Sequence, residues 1–160
     1  MAAVHDMLKP LQWLLGKWRS IEGVGKFPTI KDFKYAEDLE FFQFGQPNIQ
    51  YSYYSYDSTT KKPLHREIGF IRIKPNSNKV AFVSAHNMGL SLIEEGEVTG
   101  EEIKVESHTI ARLTFGSEPE TKKISRVIKK VGDELEQVLY METSKTPLTE
   151  HLRIRYKKIE

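Results

Sequence analysis

Residues 64–83 read LHREIGFIRIKPNSNKVAFV, and the fold turns on them. Leu64, Ile68 and Phe70 alternate with His65, Glu67 and Gly69, the period of two that belongs to an extended strand. Pro75-Asn76-Ser77-Asn78 then supplies turn chemistry. From Lys79 a second segment sets Val80 and Phe82 against Ala81 and Val83, apolar on both faces. The same rhythm runs upstream from Lys31, with Phe33, Tyr35, Leu39 and Phe41 against Asp32, Lys34, Asp38 and Glu40, and with Glu37 breaking the pattern. Thr99-Gly100 and Gly132-Asp133 read as tight hairpins, and Asn87-Met88-Gly89 and Asp57 to Pro63 as longer connections. One short helix of one to two turns is expected, with Pro10 in its first turn, Leu11, Leu14 and Leu15 on one face, Trp13 nearby and Gly16 at its end. About ten short strands without alternating helices predict an all-β, ten-stranded antiparallel β-barrel with a short N-terminal helix, the β-sandwich being the alternative. Eight strands can fill their own interior, whereas ten leave room for a small ligand, so the cavity is the first candidate site.

The composition agrees with one domain spanning residues 1–160. Of 160 residues, 39% are apolar and 29% charged, with a net charge of +2, too small to give the field of a nucleic-acid-binding domain. With no cysteine, thiolate nucleophiles, CxxC redox sites, iron–sulfur clusters and Cys-rich zinc sites are excluded. An acidic stretch (Glu94, Glu95, Glu97, Glu101, Glu102, Glu106) and a basic one (Lys122, Lys123, Arg126, Lys129, Lys130) read as solvated outer faces. No apolar run approaches a membrane span, and the amino terminus lacks a signal-peptide layout, so a cytoplasmic or nuclear location is expected.

No P-loop, GxSxG elbow, GxGxxG fingerprint or HExxH pair is present. The five histidines, His5, His65, His86, His108 and His151, are dispersed, so a zinc site would need ligands converging from separate strands. Gly16, Gly23 and Gly25 crowd what should be the first strand. They mark either a barrel-closing bend or a close approach to a ligand.

That segment carries a resemblance. Gly16, Trp18, Gly23, Gly25, Phe27, Pro28, Thr29 and Ile30 match the Gly-x-Trp-x-Gly-x-Gly-x-Gly-x-Tyr-Pro-Thr-Ile signature of the nitrobindins. Phe replaces Tyr, Ser20 stands where Gly is usual, and one extra residue lies between Trp18 and Gly23. The resemblance continues through Pro63–Arg72, Val83-Ser84-Ala85, Glu94-Glu95-Gly96-Glu97 and Pro147–Leu152, and it is nearest to the carboxy-terminal haem domain of animal THAP-domain proteins. Without cysteines for a zinc-bearing THAP module, a free-standing nitrobindin is expected.

The resemblance implies a fatty-acid-binding-protein-like barrel holding non-covalent, mostly ferric haem b. It implies binding of nitric oxide and isomerisation of peroxynitrite to nitrate. It makes His151 the axial iron ligand, Thr29 a haem contact and His65 a histidine on the other side of the haem; His86 stands where relatives often carry Gln. Strict alternation, however, sets His151 with Arg153, Arg155 and Lys157, opposite Leu152, Ile154 and Tyr156. Either a bulge re-aims the histidine, or the lumen is polar at this end and Arg153 turns toward a haem edge. Tyr51, Tyr53, Tyr54 and Tyr56 read as barrel wall. A carrier of an apolar anion, with Arg126, Arg153 or Arg155 pairing its carboxylate, and a non-catalytic nitric oxide sensor are the alternative functions.

Overall fold

The computed structural model describes residues 2–160. A 3-10 helix (Asp6–Leu14) precedes ten strands: β1 (Gly16–Phe27), β2 (Ile30–Phe42), β3 (Asn48–Asp57), β4 (Pro63–Ile73), β5 (Lys79–His86), β6 (Leu90–Thr99), β7 (Glu102–Arg112), β8 (Thr121–Val131), β9 (Glu134–Thr143) and β10 (Thr146–Lys158). Each strand pairs antiparallel with its neighbours in sequence, and β1 pairs with β10 to close the barrel. Closure pairs every strand on both sides, although the β7–β8 ladder runs only from Glu102–Lys129 to Glu106–Ser125 and the two strands part beyond it. The tight turns fall where the glycines predict them, Gly100 and Gly132 both lying in the left-handed region at φ 58° and 64°.

The helix is longer than expected and starts earlier, with the His5 side chain accepting from the Met7 N–H at its amino end and Pro10 inside it rather than in its first turn. Its 3-10 geometry has a clear cause. At three residues per turn, Leu8, Leu11 and Leu14 eclipse one another in a single stripe, and all three are wholly buried. The stripe plugs one end of the barrel, packing with Trp18, Leu39, Phe41, Ile49, Ile71, Ile73 and Phe82. Trp18 Nε1 donates to the Leu14 carbonyl at 2.9 Å and ties helix to wall.

The glycines of β1 serve bending and close packing. Register shifts interrupt β1 between Arg19 and Val24 and between Gly25 and Phe27. A Cβ at Gly25 would strike the Phe33 ring, so the glycine is what lets that ring lie over the backbone.

β4 does not turn its Ile68–Phe70 face inward. His65, Glu67, Ile71 and Ile73 point inward, while Ile68 and Phe70 lie 59% and 48% exposed on the outer surface. Both charged stretches also depart from the expected solvated face at one residue each. Glu94 and Arg126 project into the interior, fully buried, and pair with each other.

Candidate functional site

Opposite the helix plug, the strands open around a cavity of about 400 Å³. Phe33, Leu90, Leu92, Ile124, Leu139, Met141 and Leu152 make its wall largely apolar, and Leu64 and Met88 stand with them. Between this cavity and the plugged core lies a belt of buried polar side chains. Arg126 donates through Nε to Glu94 at 2.8 Å and through Nη2 to Glu67 at 3.3 Å. Tyr51 donates to Glu67, Tyr53 donates to Gln137, and Tyr156 donates to Glu37. A buried charge survives only when paired and hydrogen-bonded, which is the condition the belt meets for Arg126. Tyr51 and Tyr53 thus belong to the interior, whereas Tyr54 and Tyr56 lie on the other face of β3.

Burial dictates the protonation of this belt. Burial pushes the Glu37 carboxyl up to about 7, against the opposing hydrogen bond from Tyr156. Burial likewise raises Glu94, with Arg126 acting against it. Burial acts on Glu67 too, but there the Arg126 guanidinium, with the neighbouring histidines, holds the carboxyl well below the usual range. His86 is pushed down to about 4 by burial, so at neutral pH its imidazole is uncharged and keeps a lone pair.

His151 faces the cavity, and a bulge is the reason. Along β9 the partners run Tyr140 to Glu150 and then Leu139 to Leu152, so His151 is the extra residue of β10. The bulge changes the parity of the strand there, and both His151 and Leu152 line the cavity. Downstream the alternation resumes, with Ile154 and Tyr156 inward and Arg153 and Arg155 outward. The alternative of a polar lumen that draws Arg153 inward is thereby corrected: Arg153 lies outside and donates to Glu150 at 2.7 Å. With Arg155 also outside and the charge of Arg126 met by two glutamates, an anion carrier loses the guanidinium anchors its sequence suggested.

His151 Nδ1 lies 2.9 Å from the Lys26 carbonyl oxygen. A carbonyl only accepts, so Nδ1 carries the proton and Nε2 keeps its lone pair. Phe27 meets the imidazole edge-on at a centroid distance of 5.2 Å, and Phe33 does so at 6.4 Å. Burial lowers the pKa of His151, favouring the neutral form that a metal needs.

Of the other expected residues, His65 lines the same cavity from β4, whereas Thr29 lies exposed in the β1–β2 turn and is not part of the cavity wall. His86, given no role from sequence, is brought beside His65 with ring centroids 4.9 Å apart. Glu67 and Glu37 carry no expected role either, and Arg126, expected to pair a ligand carboxylate in the anion-carrier alternative, pairs Glu94 and Glu67 instead. Glu37 left a trace as the break in its strand's alternation, and Glu67 as the charged partner of His65 on one strand face.

A closed barrel plugged at one end, with a largely apolar cavity at the other and His65, His86 and His151 on its wall, defines a protein built to hold a ligand or prosthetic group inside its sheet. Residues 7–158 match the family described as the THAP4-like, heme-binding beta-barrel domain, and the chain belongs to that family. It is 46% identical over 158 residues to the peroxynitrite isomerase THAP4 of Rattus norvegicus and 44% identical to that of Homo sapiens. These matches cover 98% of this chain but only 28% and 27% of those longer proteins. A peroxynitrite isomerase of Arabidopsis thaliana named Rv2717c is 34% identical over 94% of this chain and 87% of its own length. The crystal structure of Rv2717c from M. tuberculosis has the same fold, with a TM-score of 0.88 at 32% identity over 99% of this chain and 100% of that one.

Proposed function

We propose that the cavity holds haem b with His151 Nε2 as the axial iron ligand, and that the ferric protein isomerises peroxynitrite to nitrate and also binds nitric oxide. The observation that carries this is the His151 imidazole on the cavity wall, whose Nδ1–H is spent on the Lys26 carbonyl while Nε2 is left free. A backbone carbonyl that takes one ring N–H in this way fixes the tautomer and orientation of a ligating histidine. The donor set fits haem: one neutral nitrogen, no thiol, and a wall of Phe33, Leu92, Ile124, Leu139, Met141 and Leu152 suited to a flat apolar macrocycle. Relatives that align along most of their own length carry the name peroxynitrite isomerase.

Haem held there would supply a Lewis-acidic ferric iron for the isomerisation of peroxynitrite to nitrate, a rearrangement without net oxidation or reduction. The chain's own contribution is positional. Lys26 and Phe27 hold the His151 ring, Phe33 flanks it, and the aliphatic wall excludes water from the reacting volume. His65, on another part of the cavity wall, would face an anionic ligand bound there, and the Thr29 hydroxyl, in the exposed β1–β2 turn, would serve only a polar group that extends beyond the cavity wall.

The test is a haemin titration of the protein and of His151→Ala, followed by the visible spectrum, with circular dichroism to show that the variant folds. Saturable one-to-one binding with a Soret shift that the variant loses is expected; a folded variant with an unchanged spectrum overturns the axial assignment. Stopped-flow decay of peroxynitrite should accelerate with haem-loaded protein. Decay no faster than in buffer removes the isomerase reading while leaving haem binding intact.

A further inference from the structure

The cavity has a second pole. His65 and Glu67 project from β4 and His86 from β5, each offering one donor atom, and the three atoms lie within 4.8 Å of one another. Glu67 Oε1 is 3.5 Å from His65 Nε2, and Glu67 Oε2 is 3.8 Å from His86 Nε2. A tetrahedral ion with bonds of about 2.0–2.1 Å needs donor atoms roughly 3.4 Å apart, so small side-chain rotations close the set. The place is separate from His151: around the ten-stranded ring, β4 and β5 stand four and five strands from β10 by way of β1.

Glu67 is the carboxylate at the cluster, and it is buried beside the Arg126 guanidinium and the Tyr51 hydroxyl. Arg126 covers part of Glu67, but a carboxylate has about four acceptor positions and retains capacity on the side of the two imidazoles. Tyr35 Oη and Arg126 Nη1, on residues of the same cavity wall, have no protein hydrogen-bond partner.

We propose that His65, Glu67 and His86 form a binding site for a divalent first-row transition-metal cation, with Zn²⁺ the best match, on the cavity wall opposite His151. Two imidazoles and one carboxylate exclude Ca²⁺ and Mg²⁺, which want oxygen donors, and suit an ion that keeps an open position. That position faces the cavity, where a water or a small anion completes the coordination.

The experiment titrates the full chain with Co²⁺, read by its visible d–d absorption, and then displaces Co²⁺ with Zn²⁺ in a calorimeter. It is repeated on His86→Gln, which can keep the hydrogen bond to Ser84, on Glu67→Gln, and on His151→Ala. One ion per chain is expected, with affinity kept in His151→Ala. Loss of a ligand should weaken binding by at least about tenfold in His86→Gln, since outer-shell changes alone cost 10–100-fold. If Glu67→Gln does not fold, His86→Gln decides. No saturable binding, undiminished binding in folded His86→Gln, or binding lost in His151→Ala each overturns the proposal. None of these outcomes bears on the haemin titration, which judges the haem reading by itself.

Discussion

Glu37 sits where the interior of the barrel changes from apolar to polar. Its folded pKa, about 7, lies above the ordinary 4.5 because burial disfavours the charge. Between those two values the folded state binds more protons than the unfolded one, so this group's contribution to stability falls as pH rises and is fully lost above about 7. Glu37→Gln keeps an acceptor for Tyr156 and removes the cost of the buried charge. Unfolding midpoints should therefore show little difference between the variant and the parent at pH 5, and a gain of roughly 2–3 kcal/mol for the variant at pH 8. A pH-independent difference would show that Glu37 ionises as readily as an exposed carboxyl. Arg126 is the opposite case: Arg126→Met leaves Glu67 and Glu94 buried without their cation, and urea unfolding should show a loss of about 3–5 kcal/mol. The candidate histidines were legible at this scale, His151 and His65 through the motif they sit in. The Lys26 carbonyl that orients His151 was not, because a backbone acceptor 125 residues away carries no sequence signal.

At the scale of elements, turns were the most legible features, since a positive φ at Gly100 and Gly132 is a local demand that glycine meets locally. The helix was less so, because a three-residue stripe of leucines differs only slightly from a 3.6-residue one over two turns. Leu11→Ala should cost about 2–5 kcal/mol, with Gln12→Ala on the exposed side near zero and haemin affinity unchanged in both, because the helix closes the end away from the cavity. Two glycines separate backbone from side-chain collisions. A Cβ at Gly69 would run into the Val83 carbonyl on the neighbouring strand, so Gly69→Ala should lose about 1–3 kcal/mol in thermal unfolding. A Cβ at Gly25 meets only the Phe33 ring, which can swing away. Gly25→Ala should leave stability closer to the parent and weaken haemin binding instead, because Phe33 is part of the cavity wall.

For the molecule as a whole, a group bound only by the closed barrel stabilises it by mass action. Haemin at 100 times its dissociation constant should add about 2.7 kcal/mol, raising the thermal midpoint of the parent and leaving that of His151→Ala where it was. The strand count, the positions of the hairpins, the all-β class and the family were all determined by the sequence, because alternation, turn residues and the Gly16–Ile30 motif are short-range patterns. Only the tertiary structure decided which face of each strand turns inward. Alternation separates two faces without saying which meets the lumen, and here β4 turns Glu67 inward and Phe70 outward. A single extra residue in β10 inverted the parity that would have sent His151 to solvent. The meeting of Glu67, Glu94 and Arg126 was likewise undetermined by any one segment, since β4, β6 and β8 bring these residues together only when the sheet curves onto itself, whereas His65 meets His86 through the β4–β5 register that sets Glu67 opposite His86.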